Sequence, residues 1–393
     1  SGAHRLPRLQ GCDGVADGGR RRVQRRHQVR AGHGPRLGDG GLTWNLLPST
    51  VSNTPHTSYT NGDFDYVWKI VTDHTEQAKD VVLAAVFNGI YRSEDGGNSW
   101  NPVLGLEPDA KTFSDFVDIA ISPNGIFYAT LSSKGPSKGI WRSQDGINWT
   151  NITPPNFPTY YNRICIGIAP SNENKVYFIA ETPSSGLNNH SFWMYQYVNG
   201  NGSGNGGIWE DRTMNLPVYN CTVYYDFDFG NYSSQNSFDM YVKVKPDNEN
   251  IVFLGGTNIY RSTDGFATPN NYKWIGGYKC NLETPSDYLY PNHHPDQHDL
   301  IFYPSNPSIA LSAHDGGISR TYNCIEDSVK WEDLNNGYIT SQFYTVAIEP
   351  GETSNDIIIG GMQDNGTWFT NSTNINKKWK YLLQGDGSYC YIT

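Results

Sequence analysis

Three segments of this 393-residue chain repeat one another almost letter for letter. They are Ile90-Tyr-Arg-Ser-Glu-Asp-Gly-Gly-Asn-Ser-Trp100, Ile140-Trp-Arg-Ser-Gln-Asp-Gly-Ile-Asn-Trp149 and Ile259-Tyr-Arg-Ser-Thr-Asp-Gly-Phe266. A fourth copy, Asp39-Gly-Gly-Leu-Thr-Trp44, begins in mid-motif, and Ile318-Ser-Arg-Thr321 is a weaker echo. Self-similarity at long period marks stacked structural units. Each copy reads as a strand, a tight turn and the start of the next strand. The Asp side chain accepts backbone N–H groups across the turn, Gly takes φ > 0, the Ser hydroxyl bonds within the hairpin and Trp packs between units. Ser93, Asp95, Gly97 and Trp100, then Ser143, Asp145 and Trp149, then Ser262 and Asp264, are therefore read as scaffold rather than catalytic groups. The second copy is one residue shorter, so its turn must differ.

The tryptophans that open the following strands are Trp44, Trp100, Trp149, Trp209, Trp274, Trp331 and Trp379, at gaps of 56, 49, 60, 65, 57 and 48 residues. A four-stranded propeller blade needs about 40–50 residues. Each gap thus holds one blade plus loop insertions. A second repeat lies between them: apolar runs ending in Pro123, Pro170, Pro246, Pro304 and Pro350, each followed by a turn and a second apolar run. Pro at a strand end costs no ladder hydrogen bond. The unit is strand A (ending in Pro), strand B, strand C (Ile-Tyr-Arg-Ser), the Asp-Gly turn and strand D (from Trp). The expectation is an all-β propeller of about seven four-stranded blades.

Composition agrees. Aromatics at 13% with 41 Gly suit short strands and tight turns. No run approaches about 18 uncharged apolar residues, so no membrane span is expected. A net charge of −10 argues against a nucleic-acid partner. No cofactor is expected. Six scattered cysteines without a CxxC pair fit neither a Cys-type zinc site nor a disulfide scaffold. Residues 1–36 stand apart, with nine Arg, no Lys and two Asp, and the remainder then carries a net −17. That segment has no strand alternation and no Tyr, Phe or Trp. It reads as non-native or disordered sequence, with a basic arm for an anionic surface as the alternative, and 37–393 as the propeller. The start without Met and the stop at Thr393, just inside what would be a further strand A, make the chain read as a fragment or processed product, with room for a second propeller beyond.

At these residues the chain resembles the BNR/Asp-box repeat proteins: sialidases, the xyloglucan-active family 74 glycoside hydrolases and sortilin-type propellers. The stretch from Pro295 to Thr393, with DQHDLIFYPSNPSIALSAHDGGISRT, GGMQDNGTWF and GDGSYCYIT, is similar to large secreted bacterial propeller proteins described as sialidase-like or glycosyl-hydrolase-like. The resemblance implies a secreted or cell-surface protein with a polysaccharide or glycoprotein partner. Sialidase catalysis requires an arginine triad. After residue 36 the chain has six Arg, and Arg92, Arg142, Arg261 and Arg320 belong to strand C, leaving Arg163 and Arg212. A true sialidase is thereby rejected. Family 74-like hydrolysis needs two carboxylates, roughly 6.5–9.5 Å apart in an inverting pair, and no motif here fixes them.

Propeller geometry puts D→A and B→C loops on one face and the Asp-Gly turns on the other. The unusual polar residues fall on the first face. His293, His294, Asp296, His298 and Asp299 are assigned to a D→A loop, and His314 and Asp315 to the next B→C loop. Gln342 precedes a strand A, Gln363, Asp364 and Asn365 form a B→C loop, and Asp386 precedes the last strand. A sugar site would use Asp386, Asp364 and Asp65 as catalytic acids. His298, Asp299, His314, Asp315, Gln342, Gln363 and Trp368 would bind substrate, with Tyr338, Phe343 and Tyr344 as further stacking platforms. A metal site would use His294, His298 and Asp299 or Asp315, although Pro295 and the onset of a strand weaken that spacing. The plain structural reading is that these groups cap strand ends, as do Asp63, Asp115 and Asp239. Two functions stand: a carbohydrate-active propeller related to family 74 hydrolases, and a non-catalytic sortilin-like binding propeller for protein or glycan.

Overall fold

The computed structural model describes residues 35–36, 45–51, 64–105, 114–199, 206–219, 230–279, 289–337, 342–349, 357–363, 365–383 and 385–392, with the backbone alone at 35–36 and 45–46. The chain divides into two compact units, Ser1–Leu334 and Asn335–Thr393. The protein is an all-β propeller, and its described residues form six four-stranded antiparallel sheets. Five blades belong to the first unit, at 67–105, 117–151, 164–211, 241–276 and 297–333, and the sixth, at 345–383, to the second. Each runs A-B-C-D in chain order. In blade one these strands are Val67–Thr72, Val82–Val86, Gly89–Ser93 and Asn101–Gly105.

The count corrects the expectation of seven. Of the seven tryptophans that implied it, Trp44 lies outside the described residues, and the described residues before blade one hold two short strands, Pro35–Arg36 and Asn45–Leu46. Their register pairs Arg36 with Asn45, as Arg92 pairs with Asn101 in the C–D hairpin of blade one. A C–D hairpin therefore precedes blade one, without described A and B strands. A tryptophan marks a strand D and by itself cannot report a whole blade.

The strand patterns follow from position. Strand B of blade one (Val82–Val86) and of blade two (Phe127–Leu131) is buried at every residue, because both faces of a middle strand meet neighbouring blades. Such strands read as continuous apolar runs rather than alternating ones. The cores lie between blades: Leu83 and Ile90 pack with Ile119 and Phe127, and Tyr128 and Ile140 with Phe178 and Trp193. Fully burying each such side chain contributes about 1.5–3 kcal/mol. Strands A of blades two to five are Val117–Ile121, Ile164–Ile168, Tyr241–Val244 and Gln297–Tyr303. Within the first unit each touches the strand A of its neighbour. Pro123, Pro170 and Pro246 stand two residues past their strand A ends, where a missing N–H breaks no ladder.

The turns show the chemistry of their residues. Ser93 Oγ accepts from Gly97 N at 2.8 Å and donates to Asp95 Oδ1 at 2.8 Å. Asp95 also receives Ser99 N at 2.9 Å and Ser99 Oγ at 2.6 Å. In the shorter copy Ser143 Oγ accepts from Gly146 N, three residues on instead of four. Asp145 there takes the amides of Ile147 and Asn148. Ser262 again bonds four residues on, to Phe266 N, and Asp264 takes Thr268 N and Oγ1. Gly96, Gly146 and Gly265 sit at φ near +70° (70°, 68° and 68°), where a Cβ is strained. Burial acts to raise the Asp95 pKa, but the Ser99 and Ser93 hydrogen bonds prevail and hold it at about 2. Asp145 and Asp264 are lowered by the same contest. In blade four the strand A–B pair sets Tyr241 opposite Gly255. A Cβ on Gly255 would lie 2.1 Å from the Tyr241 ring, so the glycine is the space the ring occupies.

Candidate functional site

The first unit's strands A line a cavity of about 330 Å³, whose wall includes Trp68, Lys69, Asp118, Arg163, Lys243 and His298. Opposite charges meet across neighbouring strands. Lys69 Nζ is 3.4 Å from Asp118 and Lys243 Nζ 2.8 Å from Asp299. Asp118 also accepts Ile166 N at 3.1 Å. Two strand A entrances carry a bulge: the register skips from Val67 to Lys69 in blade one and from Gln297 to Asp299 in blade five. The extra residues are Trp68 and His298. A bulge re-aims its side chain, and here both turn to the cavity. His298 and Asp299 thus lie in strand A and not in the D→A loop assigned from sequence. The strand begins at Gln297, one residue before the bulge that interrupts its alternation.

His298 is the meeting point. Its Nε2 lies 2.5 Å from Asp315 Oδ1 and its Nδ1 3.8 Å from Asp239 Oδ1. The His298 and Asp315 side chains are 49% and 45% exposed, against 6% for Asp239. Burial, then the nearby charges of Asp296 and Asp315, raise the Asp239 pKa to about 7, against the pull of His298 and Arg163. Asp239 therefore titrates around neutrality, so at pH 7 its protonated and ionised forms are both well populated. Sequence reading set it aside as a strand-end cap, since burial beside two other carboxylates has no linear signature.

The segment leading to Asp239 is unusually constrained. Gln235, Asn236 and Ser237 all have positive φ, at 44°, 55° and 77°. Such left-handed residues cost of order 1–3 kcal/mol each and persist only where their surroundings over-determine them. Those surroundings are visible. Arg163 Nη1 donates to Ser237 O at 3.0 Å and Phe238 O at 3.1 Å. Ser237 Oγ donates to buried Glu181 at 2.5 Å, and His190 Nε2 meets Ser234 Oγ at 2.7 Å. Arg163 is also the one arginine in this cavity's wall, so no arginine triad lines it.

His314 ends strand B of blade five (Asn306–His314) and Asp315 begins the turn to strand C (Gly317–Thr321). The two neighbours point to different partners. His314 Nε2 meets Ser319 Oγ at 2.9 Å, and burial lowers its pKa to about 4. His293 is buried between the rings of His314 at 4.6 Å and Trp331 at 4.4 Å. Its Nδ1 accepts Gly277 N at 3.0 Å and its Nε2 faces Ser312 Oγ at 3.0 Å. Burial holds both histidines neutral: His293 uses both ring nitrogens, while the buried Nδ1 of His314 has no partner. His294 turns its Nδ1 to the Pro295 carbonyl at 3.0 Å. Among the described residues no group of three or more His, Cys, Asp or Glu is arranged to hold a metal ion, and His298, directed at Asp315, does not join His294 as a ligand pair.

Of the remaining residues singled out, Asp65 is half-buried just before strand A of blade one. In the second unit Gln342 is exposed and Gln363 receives the Tyr344 hydroxyl. Trp368 donates Nε1 to Asn365 O at 2.6 Å and packs 4.9 Å from the Tyr381 ring. Phe343 packs 5.4 Å from Trp379. Asp386 is exposed beyond strand D (Lys380–Leu383). Asp364, Tyr338 and Asp63 lie outside the described residues. No helix among the described residues is long and apolar enough to cross a membrane.

No protein-family model matches the chain. A stretch of 167 residues, 37% of this chain and 19% of the relative, is 29% identical to the xyloglucanase Xgh74A of Acetivibrio thermocellus. Among solved structures, the GH74 enzyme of Niastella koreensis superposes with a TM-score of 0.42 at 14% identity, covering 91% of this chain and 54% of that one. The GH74 xyloglucanase of Xanthomonas campestris gives a TM-score of 0.42 at 13% identity, over 89% of this chain and 55% of that one. The chain thus spans about half the length of these structures and matches a smaller share of the curated relative. Along that shared stretch, the chain is similar to xyloglucanases.

Proposed function

We propose that this propeller is carbohydrate-active, of the glycoside-hydrolase kind, and takes a polysaccharide at the cavity of its first unit. The observation that carries the reading is Asp239, a carboxyl whose pKa is raised to about 7, so that it retains a large protonated fraction near neutrality, beside an imidazole whose other nitrogen bonds a half-exposed carboxylate. Glycoside hydrolysis requires one carboxyl that keeps its proton and another that has lost it. Environments that push two titratable groups apart are how such roles are assigned. In this reading Asp239 is the proton reservoir, His298 the link and Asp315 the carboxylate that meets substrate. Trp68, 41% exposed, and Phe238, 79% exposed, offer aromatic faces for sugar rings nearby. The xyloglucanase relative supports a xyloglucan-like polysaccharide, and kinship with the Asp-box repeat proteins and a secreted or cell-surface location belong to the same reading.

One observation favours a second reading. The His298 imidazole fills the space between the two carboxylates, where a hydrolase leaves room for a glycosidic bond. A sortilin-like propeller that binds protein, glycoprotein or glycan without turnover needs no such room.

The test pairs reducing-end release from xyloglucan and related polysaccharides with glycan-array binding. The expected result is turnover that Asp239→Asn and Asp315→Asn abolish while binding persists. Asp65→Asn, Asp364→Asn and Asp386→Asn probe the other candidate acids. Binding without turnover in the wild type selects the second reading. Turnover that survives all five substitutions removes the assigned site, and neither binding nor turnover removes both readings.

A further inference from the structure

Residues of blades four and five bound a second recess, of about 410 Å³, on the end that carries the Ser-x-Asp-Gly turns. Its wall includes Arg261, Thr263, Asn271, Tyr272, Lys273 and Asp327. Arg261 lies in strand C of blade four (Ile259–Ser262) and is 2% exposed. Its Nη1 donates to Cys324 O and Glu326 O, both at 2.8 Å, while its buried Nε has no hydrogen-bond partner.

Arg261 has no direct counter-charge, although Asp327 favours its charge from a distance. Among the described residues the other buried cations are paired: Arg212 with Glu210 at 2.6 Å and Lys245 with Asp247. Arg261 forms no ion pair with any described carboxylate. Nε is also unpartnered in the repeat-equivalent Arg92 and Arg142. There Glu94 pairs with the first guanidinium, and the second lies 3.9 Å over the Tyr197 ring. Of these three repeat arginines, Arg261 combines full burial, no ion pair and a place in a cavity wall. Arginine cannot shed its proton in a protein, and a buried ion without a partner is costly.

We propose that this recess binds a small oxyanion, a carboxylate or phosphate group, on Arg261 and Lys273. Guanidinium and oxyanion match in shape and charge. Lys273 Nζ now stands 3.5 Å from Asp327, with side chains 55% and 86% exposed. Such a surface pair holds weakly, so the ammonium is available to an incoming anion. Asp327 repels that anion from the rim. The Thr263 amide and hydroxyl both donate to Asn271 Oδ1, at 3.3 and 2.9 Å, which fixes the opposite wall. The site is independent of the cavity lined by strands A and of any activity there.

Calorimetric titration of the whole chain with inorganic phosphate, acetate and glucuronate, at constant ionic strength, tests the proposal. Saturable binding of at least one anion is expected. Lys273→Gln should weaken it about tenfold, the scale of one charge-assisted contact, and Asp327→Asn should tighten it. Arg261→Gln should abolish it. Should that variant fail to fold, the two surface substitutions decide. Binding of phosphate alone indicates a phosphorylated ligand, and binding of acetate and glucuronate a carboxylated one such as an acidic sugar. No saturable binding, or affinities that neither surface substitution moves, would overturn the proposal.

Discussion

Ser262 illustrates how much a single hydroxyl does in this repeat. It is fully buried, accepts the amides of Asp264 and Phe266 and donates to the Asp264 carboxylate. Its removal leaves a buried N–H group, a part-buried one and a carboxylate short of partners, and stranding a buried polar group costs about 1–3 kcal/mol. Ser262→Ala should therefore lower the unfolding free energy by that amount, read as a lower denaturation midpoint at unchanged denaturant slope. A shift under about 0.5 kcal/mol would mean that water replaces the hydroxyl. The same side chain in Ser143 serves a shorter turn, so Ser143→Ala should cost a similar amount.

At the scale of strands and turns, much was legible because local chemistry decides it. Ser-x-Asp-Gly fixes its own hairpin, Pro marks a strand A end and Trp the start of strand D. A seventh unit is expected from sequence because Trp44 carries the same local signal, but among the described residues no strands A and B accompany it. The site was less legible. His298 and Asp299 read as loop because the bulge breaks the period-two pattern by which a strand is recognised. Asp239 is hard to see in sequence because its properties come first from burial and then from Asp296, His298 and Asp315, which lie 57, 59 and 76 residues further along the chain. Arg163 looked like a leftover, yet it holds the backbone on which Asp239 is carried. Gly255 shows the limit of propensity. In a buried strand B it appears as a weakness, but Gly255→Ala should destabilise by roughly 1–3 kcal/mol through overpacking against Tyr241. A neutral or stabilising result in thermal unfolding would show that the ring can move aside.

For the whole molecule, the buried titratable groups set opposing pH dependences. Asp239, raised from 3.8 to about 7, binds its proton more tightly folded than unfolded. Its contribution is fully present below 3.8 and is lost as pH rises toward 7. His314, lowered from 6.5 to about 4, does the reverse: its contribution is present above 6.5 and is lost as pH falls toward 4. Across the shared window the two slopes oppose each other. Asp239→Asn removes one of them, so the variant's stability should climb more steeply with pH between about 4 and 6.5, by up to about 1.4 kcal/mol per pH unit. Parallel wild-type and variant curves from urea unfolding would show that Asp239 titrates as an ordinary carboxyl.

The close fit of Tyr241 over Gly255 also has a consequence for descent. The two positions are coupled, because Gly255 cannot gain a side chain while the Tyr241 ring stands. A lineage that exchanged the tyrosine for a small residue would be released to accept alanine at 255, and one that kept the ring would not. Aligned homologues should therefore show the pair changing together, and that record of joint substitution would identify the contact without any coordinates.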